Sequence, residues 1–176
     1  NEIVDVESST NAVFASTQNA LFSQVVASSN LNVYNSITGL KPDVITTIHH
    51  SDAFNKTFVG NNNGLILIQN ADGSVTTKVD VIEEVPVPPN KKRINDFFEF
   101  NGRLYIATDY GISVIDIATS EFISTYFIGT SGEETEVLQT TVFNNEIYAV
   151  TRSFGIRKAN LNNPNLFDFS QWQTFD

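Results

Sequence analysis

An all-β fold built from repeated four-stranded antiparallel sheets is what the sequence predicts, on three observations. First, β-branched and aromatic residues dominate its apolar runs, and no segment holds a 3.6-residue stripe over three turns. Second, four segments are self-similar: Val13–Phe22, Phe58–Leu67, Tyr105–Val114 and Tyr148–Arg157. Each reads as a short apolar strand, a polar turn, a small residue and a second apolar strand. Third, the small residues Ala20, Gly64, Gly111 and Gly155 lie 44, 47 and 44 positions apart. A period of about 45 is the length of one β-propeller blade. The expected architecture is therefore a β-propeller segment of four four-stranded blades, covering approximately 1–40, 41–90, 91–134 and 135–176 as one domain.

The third repeat shows the strand pattern most clearly. Ile94 to Phe100 is apolar and β-prone, and Asn101-Gly102 offers the positive φ angles of a tight type I′ hairpin. Leu104 to Thr108 runs back, Asp109-Tyr110-Gly111 turns, Ile112 to Ile117 forms a third strand, and Phe122 to Ile128 a fourth. The last repeat follows the same plan with Val137 to Phe143, an Asn144-Asn145 turn, Ile147 to Thr151 and Gly155 to Ala159. Its outer strand is delayed by the loop 160–168 and is expected near Trp172 to Phe175. Asn70-Ala-Asp-Gly73 joins strands three and four of the second repeat, and Ser28-Ser-Asn30 marks the last turn of the first. Blade sheets with two apolar faces must stack on neighbours, so three or more are needed for stability. An open arc would leave the flanks of its end blades exposed, a patch able to drive self-association.

Composition narrows the function classes. Ten basic against twenty acidic side chains leave a net charge of −10, which repels a phosphate backbone and argues against nucleic acid. Without cysteine there is no disulfide framework, no thiolate zinc site and no thiol nucleophile. No run approaches the length of a membrane-spanning helix. Asn1 is not a natural initiator and the chain has no Met, so it reads as a processed or excised piece.

Several groups invite a chemical reading. His49 and His50 are adjacent on a strand and point to opposite faces, which suits neither a catalytic nor a chelating pair. Asn70-Ala-Asp72-Gly73 has an acidic turn but lacks the alternating ligands and distal Glu of a calcium loop. Glu133, Glu134 and Glu136, like Asp80, Glu83 and Glu84, would serve as acid and base only if brought to one cleft at a suitable separation. Trp172, with Phe167 and Phe169, would suit stacking on a sugar, but packing an outer strand onto the adjacent blade accounts for it better. The recurring glycines precede strands rather than helices, so backbone turning explains them better than a phosphate cradle. The one basic cluster is Lys91-Lys92-Arg93, after the run Val85-Pro-Val-Pro-Pro89; it is the candidate binding element, toward an acidic polysaccharide, a lipid head group or a protein partner. No catalytic residue, metal or cofactor is called for.

A family resemblance accompanies these residues. Gly111-Ile-Ser-Val-Ile-Asp116, Glu121 to Gly129, Ile147-Tyr-Ala-Val-Thr151 with Phe154-Gly-Ile156, and Asn163 to Trp172 resemble the amino-terminal propeller of PorZ-type proteins, accessory proteins of the type IX secretion system. Asn19-Ala-Leu-Phe22 and Thr38-Gly-Leu40 extend the likeness to the first two blades. The resemblance implies a seven-bladed propeller of which this is about half, followed in the family by a second propeller and a sorting domain. It implies a protein secreted to the outer membrane surface, working with partners of the secretion and surface-attachment machinery. The family's glycolipid-binding role belongs to the sorting domain, so no binding residue carries over. Gly39-Leu40, Phe58-Val-Gly60 and Gly64-Leu65 are similar, more weakly, to sensor propellers of two-component regulators. The function expected is a non-catalytic scaffold or protein-binding module; the alternatives are a ligand-sensing ectodomain or a surface-glycan hydrolase or lyase.

Overall fold

The computed structural model describes residues 2–41, 43–84 and 86–175. Val85, which opens the proline run, and Asn1 lie outside the described residues. Two compact units, Asn1–Glu83 and Glu84–Asp176, make up the chain. Each holds two four-stranded antiparallel sheets whose strands follow one another in sequence order.

In the first unit, one sheet runs β1 (Ile3–Ser8), β2 (Ala12–Thr17), β3 (Ala20–Val25) and β4 (Leu31–Tyr34). The other runs β5 (Ile45–Ser51), β6 (Lys56–Asn61), β7 (Ile66–Gln69) and β8 (Val75–Lys78), and a short helical turn, Asp80–Glu83, follows. In the second unit the sheets are β9 (Ile94–Phe100), β10 (Arg103–Thr108), β11 (Ile112–Asp116), β12 (Phe122–Tyr126), then β13 (Val137–Phe143), β14 (Glu146–Thr151), β15 (Ile156–Asn160) and β16 (Gln173–Phe175). Four sheets of this kind are the blades that the repeat predicts, and β16 forms where the sequence placed the delayed outer strand.

Local chemistry accounts for the turns. Asn101 and Gly102 take φ of 50° and 73°, and Asn144 and Asn145 take 48° and 64°, the left-handed pair that a two-residue hairpin requires. The turn between the second and third strands is closed by the last side chain of the second strand. Thr108 Oγ1 donates to the Gly111 carbonyl at 3.0 Å, Thr151 Oγ1 to that of Gly155 at 2.7 Å, and Asn61 Nδ2 to that of Leu65 at 3.0 Å. In the first sheet Thr17 Oγ1 donates instead to Asn19 Oδ1 at 3.2 Å.

Each inner strand also carries a β-bulge at its second residue. The register passes over Val4 in β1, Thr46 in β5, Asn95 in β9 and Leu138 in β13. A bulge bends the strand and re-aims the side chains beside it, and here these tie blade to blade within a unit. Asp5 Oδ2 accepts from Thr47 Oγ1 and from the Ile48 amide, both at 2.9 Å. Asn95 Nδ2 donates at 2.9 Å to the Val137 carbonyl. The partners stand 42 or 43 residues apart, close to one repeat.

Apolar burial holds the sheets face to face. Phe14 and Leu21 of the first sheet pack with Ile48, Val59 and Leu67 of the second. In the other unit Tyr105, Ile112 and Tyr126 pack with Ile147, Ala149 and Trp172. Each fully buried aliphatic side chain contributes about 1.5–3 kcal/mol before chain entropy is set against it.

Candidate interaction face

In an up-and-down blade the turn between strands two and three lies at the same end of the sheet as the connection into strand one. In the second unit that end gathers the segment 86–93, the turn at 109–111, the connection 127–136 and the turn at 152–155. It therefore carries the basic cluster and the loop carboxylates together. An open cleft of about 540 Å³ is lined there by Pro86, Lys91, Phe127, Gly132, Glu133 and Glu134.

The three basic residues have different surroundings. Lys91 is exposed and its ammonium lies 2.9 Å from Glu134 Oε2. Lys92 is buried, and its Nζ donates to the Glu84 carbonyl at 2.9 Å. Arg93 is exposed, and its Nε donates to Asn95 Oδ1 at 3.1 Å. Only Lys91 and Arg93 thus present charge at the surface, and Lys92 helps to pin the chain entering β9.

The carboxylates are held in separate pairs. Glu136 meets the Arg152 guanidinium through both oxygens, at 3.2 and 2.9 Å, and this contact raises the arginine above its ordinary range. Glu133 accepts from the Ser131 amide at 2.6 Å, and its carboxyl sits below the usual range because its own amide and that of Ser131 bond it. Glu84 accepts from Thr125 Oγ1 at 2.9 Å. The sequence reading passed over Arg152 and Asn95. Asn95 also bonds Asp109 at 2.9 Å. The available signal was spacing: Lys91 to Glu134 spans 43 residues and Asn95 to Val137 spans 42, so polar pairs one repeat apart mark the seam between blades.

Beneath this face lies Tyr110, fully buried, its hydroxyl 2.6 Å from Ser113 Oγ. Burial pushes its pKa up to about 12, and the bond to Ser113 opposes the shift. Its folded-state pKa is thus raised above the unfolded value of about 10, so the unfolded chain loses this proton first as pH rises. The stability it contributes is intact below pH ~10 and is lost between there and ~12, an effect of roughly 2–3 kcal/mol. Tyr105 and Tyr126, also raised by burial, act in the same direction. Tyr110→Phe is expected to shallow the alkaline unfolding curve measured by chemical denaturation over that range.

The other candidates resolve into structural contacts. His49 Nδ1 lies 3.6 Å from Glu7 Oε1, and burial holds the Glu7 carboxyl above its usual range while His49 pulls the other way. His50 stacks on Phe14 with ring centroids 4.4 Å apart, and its Nδ1 is 2.9 Å from Thr57 Oγ1. Asp72 accepts from the amide and hydroxyl of Ser74 at 2.9 and 2.6 Å, closing its own turn. Trp172 is core, its indole donating to the Leu166 carbonyl at 2.9 Å, while Phe167 is exposed.

Successive antiparallel four-stranded blades packed face to face define the class: this is a β-propeller chain. Residues 13–173 match the model of the type IX secretion PorZ amino-terminal β-propeller domain, and the chain belongs to that family. Among solved structures it is similar to PorZ of Porphyromonas gingivalis, described as an essential bacterial surface component of the type IX secretion system. The likeness has 19% identity and a TM-score of 0.82, over 99% of this chain and 22% of that one. It is also similar to the extracellular domains of a hybrid two-component system (16% identity, TM-score 0.72) and of a one-component system (17%, 0.75) from B. thetaiotaomicron. These cover 99% and 100% of this chain and 22% and 24% of theirs. The chain thus spans about a fifth to a quarter of the length of these neighbours. No curated protein sequence matches it.

Proposed function

We propose that this chain is a non-catalytic propeller scaffold of a secreted, outer-membrane-associated accessory protein of type IX secretion, and that it engages protein partners through the face carrying Lys91 and Arg93. The observation that carries the reading is the arrangement of charge there. Lys91 and Glu134 form a half-solvated pair at the rim of an open cleft, and Arg152 with Glu136 forms a second such pair at the same end of the blades. Mixed polar pairs around a shallow surface suit a protein interface, where complementarity sets specificity and encounter rate. Glu133, Glu134 and Glu136 each bond a different group, which favours a structural use of these carboxylates over paired acid and base catalysis. Family membership supports the secretion context.

The test is capture of partner proteins from cell-surface extracts by the immobilised chain. Reversing charge with Lys91→Glu and Arg93→Glu is expected to weaken capture tenfold or more, and unchanged capture removes the basic run from the interface. The likeness to bacterial sensor ectodomains favours a second reading, a ligand-sensing propeller. The parent gene separates the two: a sensor predicts a transmembrane segment and signalling domains, whereas the secretion reading predicts a second propeller and a sorting domain.

A further inference from the structure

A second cleft lies wholly within the second unit, between its two consecutive blades. It holds about 360 Å³, with Arg103, Ser124 and Tyr126 on one wall and Leu161, Asn162 and Phe167 on the other, among others. Side chains on a strand alternate between faces, so Arg103 points to the same side as Tyr105, and Ser124 joins that side through the row Tyr105–Val114–Ser124. That side is the core face that packs on the last sheet. Arg103 opens β10 directly after the Asn101-Gly102 hairpin, so the cleft sits at the end of the blades away from Lys91.

The far wall is held in place by its own bonds. The Leu161 amide donates to the Asn145 carbonyl at 2.9 Å, the Asn163 carboxamide donates to Gln171 Oε1 at 2.7 Å, and the Trp172 indole donates to the Leu166 carbonyl at 2.9 Å. Asn162 gives its backbone amide to Asn160 Oδ1 at 2.9 Å, and its exposed carboxamide has no partner among the described residues. Phe167, on the same wall, is 63% exposed.

Charge here runs against the rest of the molecule. A chain with 20 acidic and 10 basic side chains places one cation and no carboxylate on this cleft. Arg103 is exposed and forms no ion pair among the described residues. Its cross-strand neighbour Asp116 accepts instead from the Thr119 amide and hydroxyl, at 2.9 and 3.2 Å. Burial raises the Tyr105 and Tyr126 phenols and the Arg103 charge draws both back, which sets the guanidinium beside them. A guanidinium without a counter-ion, between aromatic and aliphatic walls, is complementary to a carboxylate carried on an apolar body.

We propose that this cleft binds small organic acids with an apolar or aromatic body: Arg103 pairs with the carboxylate, the Asn162 carboxamide donates to it, and Phe167 and Leu161 cover the body. The volume is close to the lower end of small-molecule sites, roughly 300–1,000 Å³, which suits a free acid better than the end of a polypeptide. The site is remote from the loop face, so the two ideas stand or fall apart.

Amide NMR of the isotope-labelled 176-residue chain, titrated with hydrocinnamate, tests it. Saturable shifts are expected at Arg103, Ser124, Asn162 and Phe167. Hydrocinnamamide, which keeps the body and lacks the charge, is expected to bind about tenfold more weakly or worse, the loss of a charge-assisted hydrogen bond. Arg103→Gln is expected to weaken hydrocinnamate to the same degree and to abolish the preference for the acid, and Phe167→Ala to weaken acid and amide alike. Both side chains are exposed, and unchanged amide shifts in the first unit check that the variants fold. The tripeptide Gly-Gly-Phe carries the same carboxylate on a longer chain and is expected to bind no more tightly than hydrocinnamate. The proposal is overturned by an absence of saturable shifts around the cleft, by equal binding of acid and amide, by an Arg103→Gln chain that binds like wild type, or by a tripeptide that binds more tightly, which would assign the cleft to polypeptide ends.

Discussion

Gly111→Ala is expected to destabilise the chain by about 3–5 kcal/mol. Gly111 has φ of +154° and sits between the second and third strands of its blade. A Cβ there would run into the backbone carbonyl oxygen of Tyr126, with the carbonyl carbon at 3.3 Å. Tyr126 belongs to β12, which pairs with β11 at Ile112, so the obstacle is a strand of the same ladder and cannot yield without breaking it. Gly73→Ala makes the control. It has φ of +82° and open space around the position, so it meets only the cost of a left-handed alanine, about 1–2 kcal/mol. Equilibrium denaturation of both variants separates collision from conformational preference; equal costs would show that the Tyr126 contact is not what requires glycine.

Trp172→Ala is expected to cost roughly 3–5 kcal/mol. The side chain is 3% exposed, fills the core between the two sheets of its unit, and stands 6.2 Å from the Tyr126 ring. Its loss leaves a cavity and removes the donor to the Leu166 carbonyl, which shapes the loop leading to the outer strand. Melting followed by circular dichroism is expected to fall by roughly 10 °C, at about 2–4 °C per kcal/mol for a chain of this size. A change below 2 °C would mean that Trp172 is not part of the packed core.

These two positions show what can be learned from sequence and what cannot. Gly64, Gly111 and Gly155 recur at one repeat, and the period located the turns because the demand on the backbone is local. The asparagine hairpins were legible for the same reason, since Asn101-Gly102 and Asn144-Asn145 adopt left-handed conformations that most residues resist. The single tryptophan marked the delayed outer strand. The bulges at Val4, Thr46, Asn95 and Leu138 left no such mark, because a bulge is defined by the register of a partner strand.

The basic cluster shows the same limit from the other side. Three consecutive cations look like one solvated patch, yet the Lys92 ammonium turns inward and donates to the Glu84 carbonyl, eight residues earlier. Nothing in its immediate neighbours announces this. Pairing of Lys91 with Glu134 and of Glu136 with Arg152 depends on one loop lying against another, a relation that only the folded blades create.

The interface proposed above is the loop face around Lys91 rather than the opposite end of the blades. Site-specific photo-cross-linking in cell-surface extracts tests it most directly, with the reactive side chain placed at Lys91 in one variant and in another at Glu121, exposed where the third and fourth strands join. A discrete protein adduct is expected from position 91 and none from position 121. Adducts from position 121 alone, or equally from both, would contradict it.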